Sequence, residues 1–372
     1  MARPRLTRDD PAEIAQHFCF EGSFQGAIPH GKGHINDTYI VRCEKGDRAL
    51  RPYILQRINH HIFKDPVRLM ENIERVTSHL RRRIAAAGGD PQRETLNLIL
   101  TREGAIYHRT SGGDFWRAYH FIAGAQTFDI APSPQHIYHA SRAFGRFQRL
   151  VSDLPPGQLH ETIPDFHHTP KRFQALVEAV QRDTCNRASS ARAEIAFAEK
   201  RSKETGILLD LLAQGRLPRR VTHNDTKFNN VLIDDLTGEG VCVIDLDTVM
   251  PGLSLYDFGD SVRSGANPAA EDERDLSKVT VDVQTFDRFV SGYLDAVRDL
   301  LTPIELDLLT FSARIMTLEC GIRFLTDYLS GDVYFKTRRE SQNLDRCRTQ
   351  FKMVQDMEDK ADLLTRVVDR YR

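Results

Sequence analysis

The run Val221-Thr222-His223-Asn224-Asp225-Thr226-Lys227-Phe228-Asn229-Asn230, followed by Ile244-Asp245-Leu246-Asp247, constrains this chain more than any other part of it. Asp225 and Asn230 are five apart, and Asp245 lies fifteen beyond Asn230. Between them Val231-Leu232-Ile233 reads as a short buried strand, Asp234-Asp235-Leu236-Thr237-Gly238 as a turn, and Val241-Cys242-Val243-Ile244 as a returning strand. Such a hairpin carries Asp245 back beside Asn230. A carboxylate that can orient or deprotonate a hydroxyl, an amide oxygen and a second carboxylate then share one neighbourhood, and phosphoryl transfer with Mg²⁺ uses that set of hard oxygen groups. Asp225 is expected to face the acceptor hydroxyl, Asn230 and Asp245 to hold Mg²⁺, and His223 to shape the loop. A polar surface loop beside an ordinary hairpin would not call for His223, Asp225, Lys227, Asn230 and Asp245 together.

A chain of 372 residues is long enough for two lobes. Its 51 Lys and Arg against 52 Asp and Glu leave a formal charge of -1, so no global field draws it to nucleic acid or to a membrane surface. Arg81-Arg82-Arg83 reads as a solvated helix end. The cysteines at 19, 43, 185, 242, 320 and 347 form no Cys-x-x-Cys pair, which predicts reduced thiols and a cytoplasmic protein. No apolar stretch approaches the ~20 residues a membrane helix needs, and Met1 to Asp10 lacks the apolar core of a secretion signal.

Along the chain, residues 12–20 read as a short helix and Phe24 to Gly33 as a loop. Thr38–Arg42 and Tyr53–Gln56 read as an antiparallel pair, with Gly31 and Gly33 just before the first strand. Asp65-Pro66 is a helix start, and Gly88-Gly89 stops the helix through Ala87. Further strands are expected at 95–100, 105–108 and 115–122, with a hinge at Gly124 and mostly helices thereafter. His167-His168-Thr169-Pro170 lacks a third metal ligand and reads as a helix-capping loop. Ile304, Leu308, Phe311, Ile315, Leu318, Ile322, Leu325 and Leu329 predict one buried helix face over 302–329. Beside it Glu319, Arg323 and Asp327 predict a charge ladder on the helix surface.

With the loop at 223–230 in place, the chain resembles the aminoglycoside phosphotransferase and choline kinase branch of kinase-like folds. Gly31-x-Gly33-His34-Ile35-Asn36, Tyr53-Ile54-Leu55-Gln56, His223-Asn224-Asp225-Thr226-Lys227, Ile244 through Gly252, Asp257-Phe258-Gly259-Asp260-Ser261 and Glu319 through Leu325 together are similar to the N-acetylhexosamine 1-kinase family. The resemblance implies an α+β, bilobal protein kinase-like fold: a small N-terminal lobe with an antiparallel sheet and one long helix, and a larger, mainly helical C-terminal lobe. It implies a nucleotide-binding lobe over 1–122 and a catalytic, sugar-binding lobe over 123–372. It also implies ATP and Mg as cofactors and transfer of phosphate to O1 of GlcNAc or GalNAc. Asp225, Arg323 and Tyr334 would approach the sugar, and Gly31, Gly33, His34 and Gln56 the nucleotide. The expected partners are the sugar and ATP, with no nucleic acid or membrane, in a monomer or weak oligomer. Gln56 stands where kinases of this fold usually carry a lysine on the third strand, with Arg57 on the opposite strand face and Glu71 or Glu74 without the usual partner. Lys227 is therefore a candidate to supply charge at the transferred phosphate. A same-fold kinase of an aminoglycoside, choline or homoserine, and a non-catalytic nucleotide-binding regulator, stand as alternatives.

Overall fold

The computed structural model describes residues 9–31, 35–46 and 49–372. They form two compact units: the chain up to Gly124 with His160–Ile163, and Ala125–Leu159 with Pro164–Arg372.

The first unit starts with α1 (Pro11–Ala15), capped by the Asp10 carboxylate. It continues through strands β1 (Ser23–Pro29), β2 (Asp37–Glu44) and β3 (Leu50–Ile58) to the long helix α2 (Pro66–Ala86). Short strands β4 (Leu98–Ile99) and β5 (His108–Arg109) precede β6 (Phe115–His120). The sheet runs β1-β2-β3-β6-β4, with β5 also on β6 and every pairing antiparallel. Asp65 caps α2 by accepting the Arg68 N–H at 3.1 Å, Pro66 occupies the first turn, and Gly88 follows at φ 78°, as the sequence predicts.

Three expectations need correction here. The segment from Phe24 is not loop-like but lies in β1, an exposed edge strand bulged between Phe24 and Gly26, which hides its alternation. The first helix ends at Ala15, short of 20, because Phe18 is drawn into a β-bridge with Thr101. The strands expected over 95–100 and 105–108 shrink to β4 and β5, since only those residues meet β6. One sheet face carries Val41, Cys43, Tyr53, Leu55, Trp116 and Ala118 and packs on Ile14, Ala15 and Phe18. The other carries Thr38, Ile40, Ile54, Gln56 and Arg117, by strand alternation and by the register Thr38↔Gln56↔Arg117 and Ile40↔Ile54.

The second unit adds β7 (Ala125–Gln126), α3 (Pro134–Leu150), α4 (Thr169–Arg182), α5 (Arg192–Lys200), α6 (Ile207–Ala213), β8 (Arg220–Thr222), β9 (Val231–Asp234), β10 (Gly240–Val243) and β11 (Met250–Gly252). Helices α7 (Ser254–Gly265), α8 (Val283–Val297), α9 (Pro303–Asp307), α10 (Leu309–Leu329), α11 (Gln342–Asp359) and α12 (Ala361–Asp369) complete it. Its core is largely helical, with Phe258, Val262, Phe286, Tyr293, Ile315, Leu318, Ile322, Leu325, Phe351 and Val354 all buried. The predicted 302–329 helix is broken at Leu308: the capping box of Thr302 and Glu305 starts the short α9, Leu308 is its C-cap, and α10 starts afresh at Leu309.

The expected surface ladder on α10 is also overturned. Glu319 and Asp327 are buried: Glu319 is met from across the lobe by His167 and Thr169, and Asp327 by the backbone N–H groups of Val333, Tyr334 and Phe335 in the loop just after α10. Among the described residues no helix is long and apolar enough to cross a membrane.

Candidate active site

The loop Thr222–Lys227 is held by its own neighbours in sequence and by the first turn of α7. Strands β8 and β11 pair antiparallel, Thr222 opposite Met250 and Arg220 opposite Gly252. The Asp257 carboxylate accepts the N–H of His223 at 2.9 Å and of Asn224 at 2.7 Å, gripping two consecutive amides. Asn224 sits at φ 65°, a left-handed conformation, and its side chain donates to the carbonyls of Thr222 and Thr248 at 3.1 and 2.9 Å. A Cβ at Gly252 would lie 2.8 Å from Asn224 Oδ1 and nearer still to Thr222 Oγ1, so only glycine lets β11 come this close. The rings of Phe144 and Phe147 on α3 meet His223 edge-on, and His223 Nε2 lies 2.9 Å from the Ile244 carbonyl.

Within this frame Asp225 and Asn230 come together. Asn230 Nδ2 donates to the Asp225 carbonyl at 2.8 Å and to its carboxylate at 3.1 Å. The β9–β10 hairpin returns as expected, and the Ile244 N–H donates to the Asn230 carbonyl at 2.9 Å, so Asp245 follows directly beside it at φ 59°. Asn230 gives its N–H groups to Asp225, which turns its Oδ1 away from that carboxylate. That oxygen and the Asp245 carboxylate are hard donors suited to Mg²⁺. No group of three or more His, Cys, Asp or Glu side chains converges among the described residues.

Lys227 Nζ lies 2.8 Å from Asp225 Oδ1. Burial alone would raise the Asp225 carboxyl, but the Lys227 ammonium, aided by His223 and Arg263, draws it down to about 2. The Lys227 ammonium is raised in turn, first by Asp225 and further by Asp260. Asp225 is thus a firmly ionised acceptor of hydrogen bonds and a weak base. Asp257 behaves in the opposite way: burial pushes it up to about 6, against the pull of His223, the two backbone N–H groups and His167. Asp260 forms a buried ion pair with Arg263 at 2.6 Å.

Arg323 and Tyr334 come together through Phe335. The Arg323 guanidinium is half-buried between the rings of Phe166 and Phe335, at 5.4 and 5.6 Å from their centroids. Phe335 stacks edge-on against Tyr334 at 4.8 Å, and Asp327 pins the backbone of both. Arg172 donates to the Phe166 carbonyl at 2.9 Å; burial and the charge of Arg323 lower its pKa. Two guanidinium groups therefore share the surroundings of Phe166. Sequence reading missed Phe166, Arg172 and Phe335 and gave His167 only a place in a helix-capping loop; Phe166 and Phe335 each lie next to a residue already singled out, His167 and Tyr334.

In the first unit Gln56 is held from both sides. It donates to Thr38 Oγ1 at 2.9 Å and accepts from Arg117 Nε and Nη2 at 3.0 and 2.8 Å. Arg117, buried on β6, is thus the cation at this position, which sequence could not reveal before the register of β3 and β6 was known. Arg57 points to the other face and pairs with Asp37 and Asp114, while Glu71 bonds His160 Nε2 at 2.7 Å. Gly31 lies between β1 and β2 at φ 76°; Gly33 and His34 lie outside the described residues.

The sequence model of the phosphotransferase enzyme family matches residues 26–285. Among solved structures, an aminoglycoside phosphotransferase from Alicyclobacillus acidocaldarius is similar over 100% of this chain and 98% of its own, at 14% identity and a TM-score of 0.61. A microcompartment-associated aminopropanol kinase is similar over 95% and 97%, at 15% identity and a TM-score of 0.59. The amicoumacin kinase hAmiN, solved with AMP-PNP, Ca²⁺ and its antibiotic, is similar over 91% of both chains, at 14% identity and a TM-score of 0.58. At these identities the likeness shows the shared kinase-like fold.

Proposed function

The chain belongs to the phosphotransferase enzyme family, and from that premise we propose that it is an ATP- and Mg²⁺-dependent kinase that phosphorylates O1 of an N-acetylhexosamine, GlcNAc or GalNAc, to the sugar 1-phosphate. The observation that carries the choice of acceptor is Arg323. Among the described residues no carboxylate or carbonyl bonds its guanidinium, which is flanked by Phe166 and Phe335 and lies near a second arginine, Arg172. A fork of N–H donors with aromatic walls suits hydroxyl and amide-carbonyl oxygens over an apolar ring face. The same positive charge disfavours the cationic acceptors that aminoglycoside, choline or ethanolamine kinases would require.

Asp225, ionised at any working pH, would hold the anomeric hydroxyl in line for attack; that hydroxyl is more acidic than an ordinary alcohol and asks little of a base. Asn230 and Asp245 would hold Mg²⁺, which when bound neutralises charge on the terminal phosphates. The face of β2 and β3 with Ile40 and Ile54 would offer an apolar bed for a nucleotide base, with Gln56 and Arg117 as polar groups next along the same face. A second reading, an acceptor bearing a carboxylate such as a hexuronic acid, is favoured by the pairing of Arg172 with Arg323.

The test is ADP release from MgATP across free hexosamines, N-acetylhexosamines, hexoses, hexuronic acids, choline, homoserine and aminoglycosides, with the phosphorylated position read by phosphorus NMR. Phosphate at O1 of an N-acetylhexosamine is expected. Preferential turnover of a cationic acceptor, or nucleotide binding without turnover of any, overturns the assignment.

A further inference from the structure

His167 is buried in the second unit, on the segment just before α4, and each of its ring nitrogens faces an oxygen that can accept. Nδ1 lies 2.9 Å from Glu319 Oε1, and Nε2 lies 2.9 Å from the main-chain carbonyl of Asn224. The second Glu319 oxygen accepts from Thr169 Oγ1 at 2.5 Å. A backbone carbonyl has no proton to give, so Nε2 must carry one. A carboxylate already taking the Thr169 hydroxyl is best matched by a second N–H on Nδ1. Both protons together make an imidazolium, and a buried carboxylate of a single-turn neighbour of Arg323 is its counter-ion.

The two ends of this arrangement are what give it meaning. Asn224 immediately precedes Asp225 and is already strained at φ 65°. Its N–H is held by Asp257, its side chain by Thr222 and Thr248, and its carbonyl by His167. The peptide that links Asn224 to Asp225 is held on both sides, its carbonyl by His167 Nε2 and its N–H by His223 Nδ1 at 3.3 Å, and His167 is the contact that ties it to α10. At the other end Glu319 lies one helical turn before Arg323 on α10. His167, 152 residues from Glu319 and 57 from Asn224, is the bridge between the helix that carries Arg323 and the loop that carries Asp225.

We infer that His167, held as a buried imidazolium by Glu319, is a positioning residue that sets the Asn224–Asp225 peptide and keeps Asp225 in register with the acceptor-binding Arg323. The inference rests on the reading of Asp225 as the acceptor-orienting carboxylate. The charges around the ring favour the protonated form. Burial, the largest single influence, acts against it, but Glu319, the Asn224 carbonyl and Asp260 together raise the imidazole above its ordinary value. Glu319 is pulled below the usual carboxylate range by His167 and Arg323 despite its burial. The other titratable groups packed around the pair are Asp257 and Tyr256 on α7, the latter with its ring 5.1 Å from His167, and Arg172 on α4. The sign follows: the clamp is intact below the unfolded-state value of histidine and is lost as pH rises through the raised folded value.

Glu319→Gln tests this with little change of shape, because the amide oxygen still accepts from Thr169 or His167. It removes the charge that keeps the ring protonated. The alkaline limb of kcat is expected to move at least about one pH unit lower, with KM for MgATP within threefold of wild type. His167→Gln is expected to lower kcat about 10²-fold, the scale of a slight misplacement at the reacting centre, again with little change in KM for MgATP. A limb that stays in place in folded Glu319→Gln overturns the inference, as does nitrogen-15 NMR of wild type showing a His167 ring that titrates at or below 6.5. If the wild-type protein phosphorylates no acceptor, the functional reading fails by itself, and the NMR titration still decides whether the buried imidazolium exists.

Discussion

Replacing Asp257 by Asn should separate what the carboxylate does for stability from what it does for the loop. Asp257 is 2% exposed, and its two oxygens accept the N–H groups of His223 and Asn224 at 2.9 and 2.7 Å. Burial pushes its carboxyl up from 3.8 to about 6 in spite of those bonds. At pH 8 the folded protein therefore bears an unfavourable charge worth about 3 kcal/mol, at 1.36 kcal/mol per pKa unit, and this difference already includes the strength of both hydrogen bonds. Asp257→Asn removes the charge and recovers most of that. It also turns one acceptor into an NH₂ group that faces a backbone N–H, at a cost of about 1–3 kcal/mol.

The two terms nearly cancel, so the thermal midpoint should move by only a few degrees. The loop does not share in the cancellation. One of the two amides that set Asn224 and Asp225 loses its partner, and kcat should fall about 10²-fold. Differential scanning calorimetry beside steady-state ADP release would measure both. A kcat within threefold of wild type, or a collapse of the midpoint in parallel with activity, refutes the reasoning. The wild-type pH dependence supplies a second check. Between 3.8 and about 6 the folded state binds the proton that the unfolded state does not, so this group lowers stability as pH rises across that window. Activity should run the other way, with an acid limb near pH 6 that Asp257→Asn lacks.

Asp225→Asn and Asp245→Ala should each abolish most sugar-dependent ADP release, by a factor of about 10² or more, because each removes a charge from the reacting centre; wild-type-like turnover by either would sink the site. Arg117→Met should raise KM for MgATP about 10-fold, through its bonds to Gln56, whereas Lys227→Met, which frees the carboxylate of Asp225, should act chiefly on kcat; the reverse pattern in a full kinetic comparison would exchange their roles. Gly252→Ala should destabilise the fold by about 1–3 kcal/mol and slow catalysis, since its Cβ would press on Thr222 and Asn224; an unchanged urea midpoint would contradict the close approach of β11 to the loop.

The parts of this protein that were legible in the sequence are those settled by neighbours along the chain. The hairpin that brings Asp245 beside Asn230 needs only two short apolar runs and the turn between them. The start and end of α2 follow from Asp65, Pro66 and Gly88. The α+β, kinase-like fold was expected from the resemblance that the loop at 223–230 and the strings around it carry, rather than from local rules alone. Edge strand β1 was not, because an exposed, bulged strand shows no regular alternation.

What tertiary structure alone decided are meetings between distant residues. A stripe of apolar residues at helical spacing continues through Leu308, yet α9, begun by the Thr302 capping box, ends at that residue and α10 begins after it. Glu319, spaced like a surface charge, is buried because His167 and Thr169 reach it from some 150 residues away. Arg117 becomes the partner of Gln56 only through the β3–β6 register. Local rules reach a turn or a strand pair; a buried charge is stabilised by whichever group the packed chain delivers, and spacing along the sequence carries no trace of it.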